Sequence, residues 1–167
     1  MDLLLDTHAL FWSIYDVASL SDEATAALVD PANTVWATLT SAQEIAIKIG
    51  VGRWPDALDL LLNFDERLEE SRYSLVAPIA ADYANQLMLP DLADHRDPFD
   101  RLIIAQALAR GMSLVTSDGH AADYGVQTVH AGRAARVADP RGPRLVPAQT
   151  LNQIALPAAP PPEDESP

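Results

Sequence analysis

Four acids, Asp6, Glu44, Asp100 and Asp118, stand where a carboxylate is more than a surface charge. Asp6 follows the apolar run Leu3-Leu4-Leu5, and Asp118 follows Met112-Ser113-Leu114-Val115-Thr116-Ser117. Asp100 heads the apolar block Leu102 to Leu108, and Glu44 leads into Ile45-Ala46-Ile47. Carboxylates that converge repel one another, and a divalent cation removes the conflict. An all-oxygen set suits Mg²⁺ or Mn²⁺ rather than zinc. Such a cation, keeping some of its waters, is suited to phosphoester hydrolysis, because it activates water and stabilises charge on the phosphate and the leaving oxygen.

Each acid also has a structural reading. In His95-Arg96-Asp97-Pro98-Phe99-Asp100-Arg101, Asp97 reads as an N-cap and Pro98 as the first helical residue. Asp100 then shares a face with Ile103, Ile104 and Ala107. Two acids in a first turn suit the helix dipole without any chemistry, so capping stays open for both. A carboxylate heading a buried stripe nonetheless needs water, a partner or a metal. Ser41-Ala42-Gln43-Glu44 fits a capping box and Lys48 lies four residues after Glu44, so a cap plus a surface ion pair also accounts for that acid.

The elements that position these residues follow from apolar periodicity. Strands are predicted at Leu3–Leu5, Thr34–Ala37, Tyr73–Val76, Met112–Thr116 and Val126–Val129. Helices are predicted after Asp6, from Ser21 or Asp22 to Val29, from Ser41 to Gly50 or Gly52, from Pro55 to Glu70, from Ile79 to Met88, and after Asp97. Short apolar strands alternating with helices predict a parallel, doubly wound α/β sheet covered on both faces. In such sheets ligands bind beyond the carboxyl ends of the strands. Asp6 and Asp118 lie on that edge, and Glu44 and Asp100 open helices that start there.

Length and charge set the limits. The chain has 167 residues, 49% of them hydrophobic, enough for one domain with a substantial core. It has no cysteine, which excludes disulfides and thiolate metal sites. A net charge of -13 argues against holding nucleic acid by broad phosphate neutralisation, yet leaves room for a nuclease whose acids gather around metal. No leader and no membrane-length apolar run is evident, so a cytoplasmic protein is expected. His8, His95, His120 and His130 show no metal-ligand spacing. Beyond about Ala134 the chain becomes Arg- and Pro-rich, with Arg133, Arg136, Arg141 and Arg144, and its end is expected to be extended or disordered.

With these segments in order, the sequence resembles the PIN-domain ribonucleases, and specifically their VapC-like toxin branch. The resemblance rests on Leu4-Leu5-Asp6-Thr7-His8-Ala9-Leu10-Phe11-Trp12, Ser41-Ala42-Gln43-Glu44-Ile45-Ala46-Ile47-Lys48, His95 through Ala107, and Leu114-Val115-Thr116-Ser117-Asp118. It implies a three-layer α/β/α sandwich with a central parallel sheet over residues 1–133, followed by a C-terminal extension at 134–167. It also implies Asp6, Glu44, Asp100 and Asp118 as catalytic, metal-binding acids, with Thr116 close to them and Asp97 as a cap or supporting residue. The implied activity is a Mg²⁺- or Mn²⁺-dependent endoribonuclease toxin acting on structured RNA, transfer RNA or ribosomal RNA. The implied partners are a VapB-like antitoxin and a second copy of the chain. Gln43 departs from the aromatic residue of many relatives, and the extension exceeds the usual compact domain.

Lys48, Arg53, Arg96 and Arg101 are nearest the acids and are candidates for RNA phosphate contacts, with ordinary ion pairing as the alternative. Trp12, Trp36 and Trp54 can stack on bases, but beside apolar runs they read first as core or interface residues. Among other functions, an aspartyl-phosphate phosphatase would want a second Asp where His8 stands. A receiver domain would want a lysine after a late strand, and the only lysine is Lys48. An inactive PIN-like interaction module remains the main alternative.

Overall fold

Strand β1 (Asp2–Leu5) is the centre of the molecule, and its side chains alternate between two cores. Leu3 and Leu5 enter one, Leu4 the other, and all three have no exposed surface. Period-two side chains on a strand covered on both faces produce this split, so the whole run is apolar rather than alternating. In the computed structural model, residues 1–92 and 96–133 are described; His95 and the extension 134–167, with Arg136, Arg141 and Arg144, lie outside the described residues.

The chain continues through α1 (Thr7–Tyr15), α2 (Asp22–Val29), β2 (Thr34–Thr38), α3 (Leu39–Gly50), α4 (Leu58–Leu62), α5 (Phe64–Ser71) and β3 (Ser74–Val76). It closes with α6 (Ala80–Met88), α7 (Pro98–Arg110), β4 (Ser113–Thr116) and β5 (Thr128–His130). The strands form one parallel sheet in the order β3-β2-β1-β4-β5. The expected three-layer α/β/α sandwich is therefore observed. The first core joins β1, β2, β4 and β5 to α1–α5 through residues such as Leu10, Ile45, Leu60 and Phe64, and the second joins the opposite face to Ile103, Ile104 and Ala107 of α7.

The winding positions the site. From β1 the chain steps outward to β2 and β3, then returns through α7 to place β4 on the other side of β1. The two directions of winding part between β1 and β4, and the crevice beyond their carboxyl ends is where such a sheet holds ligands. Several boundaries differ from those predicted. The helix after β2 begins at Leu39, because the Thr38 hydroxyl, rather than Ser41, caps it by accepting the Thr40 N–H at 3.1 Å. The helix expected over 55–70 is broken at Asn63, whose amide donates to the Asp59 carbonyl at 3.3 Å and carboxylate at 2.9 Å and so closes α4. β5 runs two residues later at its start than expected, while Val126 still enters the second core.

Candidate active site

Asp6 is the last residue before α1 and its N-cap: Oδ1 accepts the Ala9 N–H at 2.6 Å. Oδ2 accepts the hydroxyl of Thr116, at the end of β4, at 2.5 Å. Thr116 Oγ1 in turn accepts the Asp118 N–H at 3.0 Å, so one hydroxyl ties together the ends of the two central strands. Burial pushes the Asp6 carboxyl above its ordinary range, opposed by the bonds from Ala9 and Thr116 and by the field of His8.

Asp100 arrives from α7. As expected, Asp97 caps that helix, accepting the N–H groups of Phe99 at 2.8 Å and Asp100 at 3.4 Å, with Pro98 in the first turn. Gly111 ends it in the left-handed conformation at φ 63°. The buried stripe of Ile103, Ile104 and Ala107 fixes the face that Asp100 presents. Burial, then the charges of Asp97, Glu44, Asp6 and Asp118, push its carboxyl from 3.8 up to about 7. Asp6, Asp100, Asp118 and Thr116 thus surround one cavity of about 10 Å³, floored by Ile103, Ile104 and Leu114. That is room for about one water-sized group.

Glu44 is buried beside this cavity rather than lining it. Its Oε2 accepts the Thr7 hydroxyl at 2.5 Å and its Oε1 pairs with Lys48 Nζ at 2.5 Å. The predicted pair with Lys48 is present, but the capping box is not: Glu44 lies in the second turn of α3, and Ser41 instead places its hydroxyl 3.1 Å from that of Thr7. Among the described residues, no three His, Asp or Glu side chains stand arranged to hold a metal ion as they are. The donor set is nevertheless the kind a hard divalent cation takes, all carboxylate and hydroxyl oxygen, with acids that repel one another in its absence.

A hydroxyl and an amide that hold the site were given no role in the sequence reading. Thr7 holds Glu44, with the Ser41 hydroxyl beside it, as above. Gln106 is fully buried, and its Oε1 accepts the hydroxyls of Thr38 at 2.8 Å and Thr40 at 3.2 Å, locking α7 to the start of α3. The signal was present: a glutamine inside the apolar block Leu102 to Leu108 must find buried partners.

The basic candidates divide. Arg101 is not placed for phosphate: its guanidinium donates to the carbonyls of Pro90 at 2.7 Å, Leu89 at 3.1 Å and Gln86 at 3.3 Å and to the Tyr124 hydroxyl at 3.0 Å, pinning the end of α6. Arg96 is exposed, 3.9 Å from the Asp91 carboxylate. Lys48 and Arg53 flank a second opening, beside His8 and Trp54.

The sequence model of the PIN domain matches residues 3–126. The chain belongs to the PIN domain family. PIN domains are generally nucleases and typically use divalent metal ions. Among solved structures, the PIN fold here is similar to that of VapBC2 from Rickettsia felis bound to a DNA fragment from their promoter. The identity is 15% and the TM-score 0.55, covering 78% of this chain and 99% of that one. A domain of a functionally unknown protein from Methanocaldococcus jannaschii is also similar, at 16% identity and TM-score 0.51, over 83% of this chain and 96% of that one. At such identities the likeness is one of fold. No curated protein matches the chain in sequence. Among the described residues, no helix is long and apolar enough to cross a membrane.

Proposed function

We propose that this PIN domain is a metal-dependent endoribonuclease toxin that hydrolyses phosphodiester bonds of structured RNA, transfer or ribosomal, and is neutralised by a VapB-like antitoxin. The observation that carries the reading is the meeting of Asp6, Asp100, Asp118 and Thr116 around one small cavity at the carboxyl edge of the sheet, where burial and neighbouring acids raise the Asp100 carboxyl. Asp6, Asp100 and Asp118 would hold Mg²⁺ or Mn²⁺, with Glu44 completing the set. The ion, when bound, would activate a water as nucleophile and stabilise charge on the phosphate. Thr116 orients the Asp6 carboxylate by donating to it, and Asp97 fixes the first turn that carries Asp100. Arg96, exposed and 3.9 Å from Asp91, would meet RNA at the exposed edge.

The antitoxin partner is supported by the resemblance to the VapC-like branch and by the shared fold with the VapBC2 structure. A homodimer is supported by Ile79, which caps α6, and by Tyr83, Leu87 and Met88 along it, which together form an exposed apolar row. The test is incubation of purified, antitoxin-free protein with total RNA and Mg²⁺ or Mn²⁺, beside a chelator control and Asp100→Asn, with the new ends sequenced. Discrete cuts that need metal and vanish in the variant are expected. The second reading is an inactive interaction module, favoured by the contact of Lys48 with Glu44, which occupies one of the acids. Absence of cuts from folded protein, with no metal bound by calorimetry, would sink the catalytic reading and leave this one as the better account.

A further inference from the structure

A second cavity, of about 280 Å³, opens beside the acids between α1 and the loop after α3, lined by His8, Phe11, Trp12, Lys48, Arg53 and Trp54. Its composition sets it apart in so acidic a chain: two of the eleven basic residues and two of the three tryptophans meet there. The His8 ring stacks on Trp54 with centroids 4.8 Å apart and planes at 23°, while Phe11 braces Trp54 from another side at 5.2 Å and 54°. Lys48 Nζ lies 5.2 Å from the Trp54 ring centroid and 2.5 Å from Glu44, so the same ammonium touches both the aromatic wall and the acidic group. His8 and Arg53 are exposed, and Trp12 and Trp54 are half-buried.

We infer that this cavity is a subsite for one unpaired nucleobase and its adjoining phosphate, holding the RNA next to the scissile bond. The inference rests on the acidic cavity being an RNA-hydrolysing site. Aromatic faces stack on any base, and a cation at their rim takes the phosphate that accompanies it; together they make the usual platform for single-stranded nucleic acid. A peptide would not call for both cations, whereas a polyanion approaching a chain of net charge -13 needs them. Arg53 is the phosphate contact at the outer rim, and Lys48 the one nearest the acids. A base that must be unpaired to enter also selects loops over duplex within a structured RNA.

The test measures anisotropy of a 3′-fluorescein, 12-nucleotide single-stranded RNA of mixed sequence, with Mg²⁺ present and Asp100→Asn as the non-cleaving background. Trp54→Leu is expected to weaken binding about tenfold, and Trp54→Phe by less than about threefold. Arg53→Gln is expected to lower the slope of log affinity against log salt by about 0.7, the loss of one phosphate contact on a single strand. The same RNA annealed to its complement is expected to bind less well and to be indifferent to Trp54→Leu. Equal affinities for Trp54→Leu and Trp54→Phe, or an unchanged salt slope in Arg53→Gln, would overturn the subsite. So would tighter binding of an acidic, tryptophan-containing peptide that displaces the RNA in a Trp54-dependent way. If Trp54→Leu does not fold, the salt slope of the exposed Arg53→Gln decides. Cleavage of RNA with an unchanged KM in Trp54→Leu and Arg53→Gln alike, alongside unchanged binding, sinks the subsite and leaves the nuclease standing. Trp54-dependent binding without cleavage by the wild type does the reverse.

Discussion

Asp82 and Asp100 sit in the first turns of the two helices that pack together on one face of the sheet, and they have settled their charges in opposite ways. Asp82 is buried against Arg110, which donates to Oδ1 at 2.7 Å and to Oδ2 at 2.9 Å. That bidentate pair, aided by the Ile79 N–H, holds the Asp82 carboxyl below its ordinary range despite burial. Asp100 is half-buried beside other carboxylates, and partial burial together with their charges pushes its carboxyl up to about 7. A fold that can supply an arginine to one buried acid and gathers acids around another has built two different things. The first is a strut between α6 and α7. The second is a gathering of carboxylates at the carboxyl edge of the sheet, which the proposed function reads as a metal site.

The comparison breaks most sharply on activity. Asp100→Asn is expected to lower RNA cleavage by about a thousandfold, the several kcal/mol that metal-assisted chemistry supplies, while leaving the fold intact by circular dichroism. Asp82→Ala is expected to do the converse, costing about 3 kcal/mol of stability in urea denaturation because it strands the Arg110 guanidinium, with cleavage per folded molecule retained. If Asp82→Ala abolished cleavage in the folded fraction, the division into strut and site would fail.

The pH dependence sharpens it. The Asp82 carboxyl is held low, so its contribution to stability is present above pH 3.8 and is lost as pH falls below that value. The Asp100 carboxyl is raised, so its contribution is complete below pH 3.8 and is lost as pH rises towards about 7. In metal-free protein, Asp100→Asn should therefore flatten the decline in urea midpoint between pH 4 and pH 8, where Asp82→Ala should not. Smaller again, Thr116→Val removes the hydroxyl that donates to Asp6 and should weaken Mn²⁺ binding about tenfold by calorimetry. Smallest is Arg101→Ala, expected to cost about 1–2 kcal/mol of stability through its lost carbonyl contacts while leaving RNA affinity unchanged.

The difference between the two acids also explains what could be read in the sequence. Elements fixed by local pattern were legible: Leu3–Leu5 as a buried strand, Asp97-Pro98 as a helix start, and from their order the parallel sheet with acids at one edge. What depends on long-range partners was not. Thr38 rather than Ser41 caps α3, since the signals for the two are alike and tertiary packing chose between them. Arg101 next to Asp100 reads as a phosphate contact until the carbonyls of α6 fold around it. The role of Asp82 depends on Arg110, 28 residues away, and no spacing rule connects them. Thr7 and Trp54 reach Glu44 and His8 only because α1 and α3 are neighbours.

The most direct test follows the Asp100 carboxyl itself, by carbon-13 NMR of aspartate-labelled protein titrated with and without Mg²⁺, the resonance assigned with Asp100→Asn. Without metal the midpoint is expected at about 7, and with saturating Mg²⁺ below about 5, because a bound cation favours the charged form. A midpoint near the ordinary 3.8 in metal-free protein, or one that Mg²⁺ leaves where it was, would contradict the assignment of this cavity as a metal site.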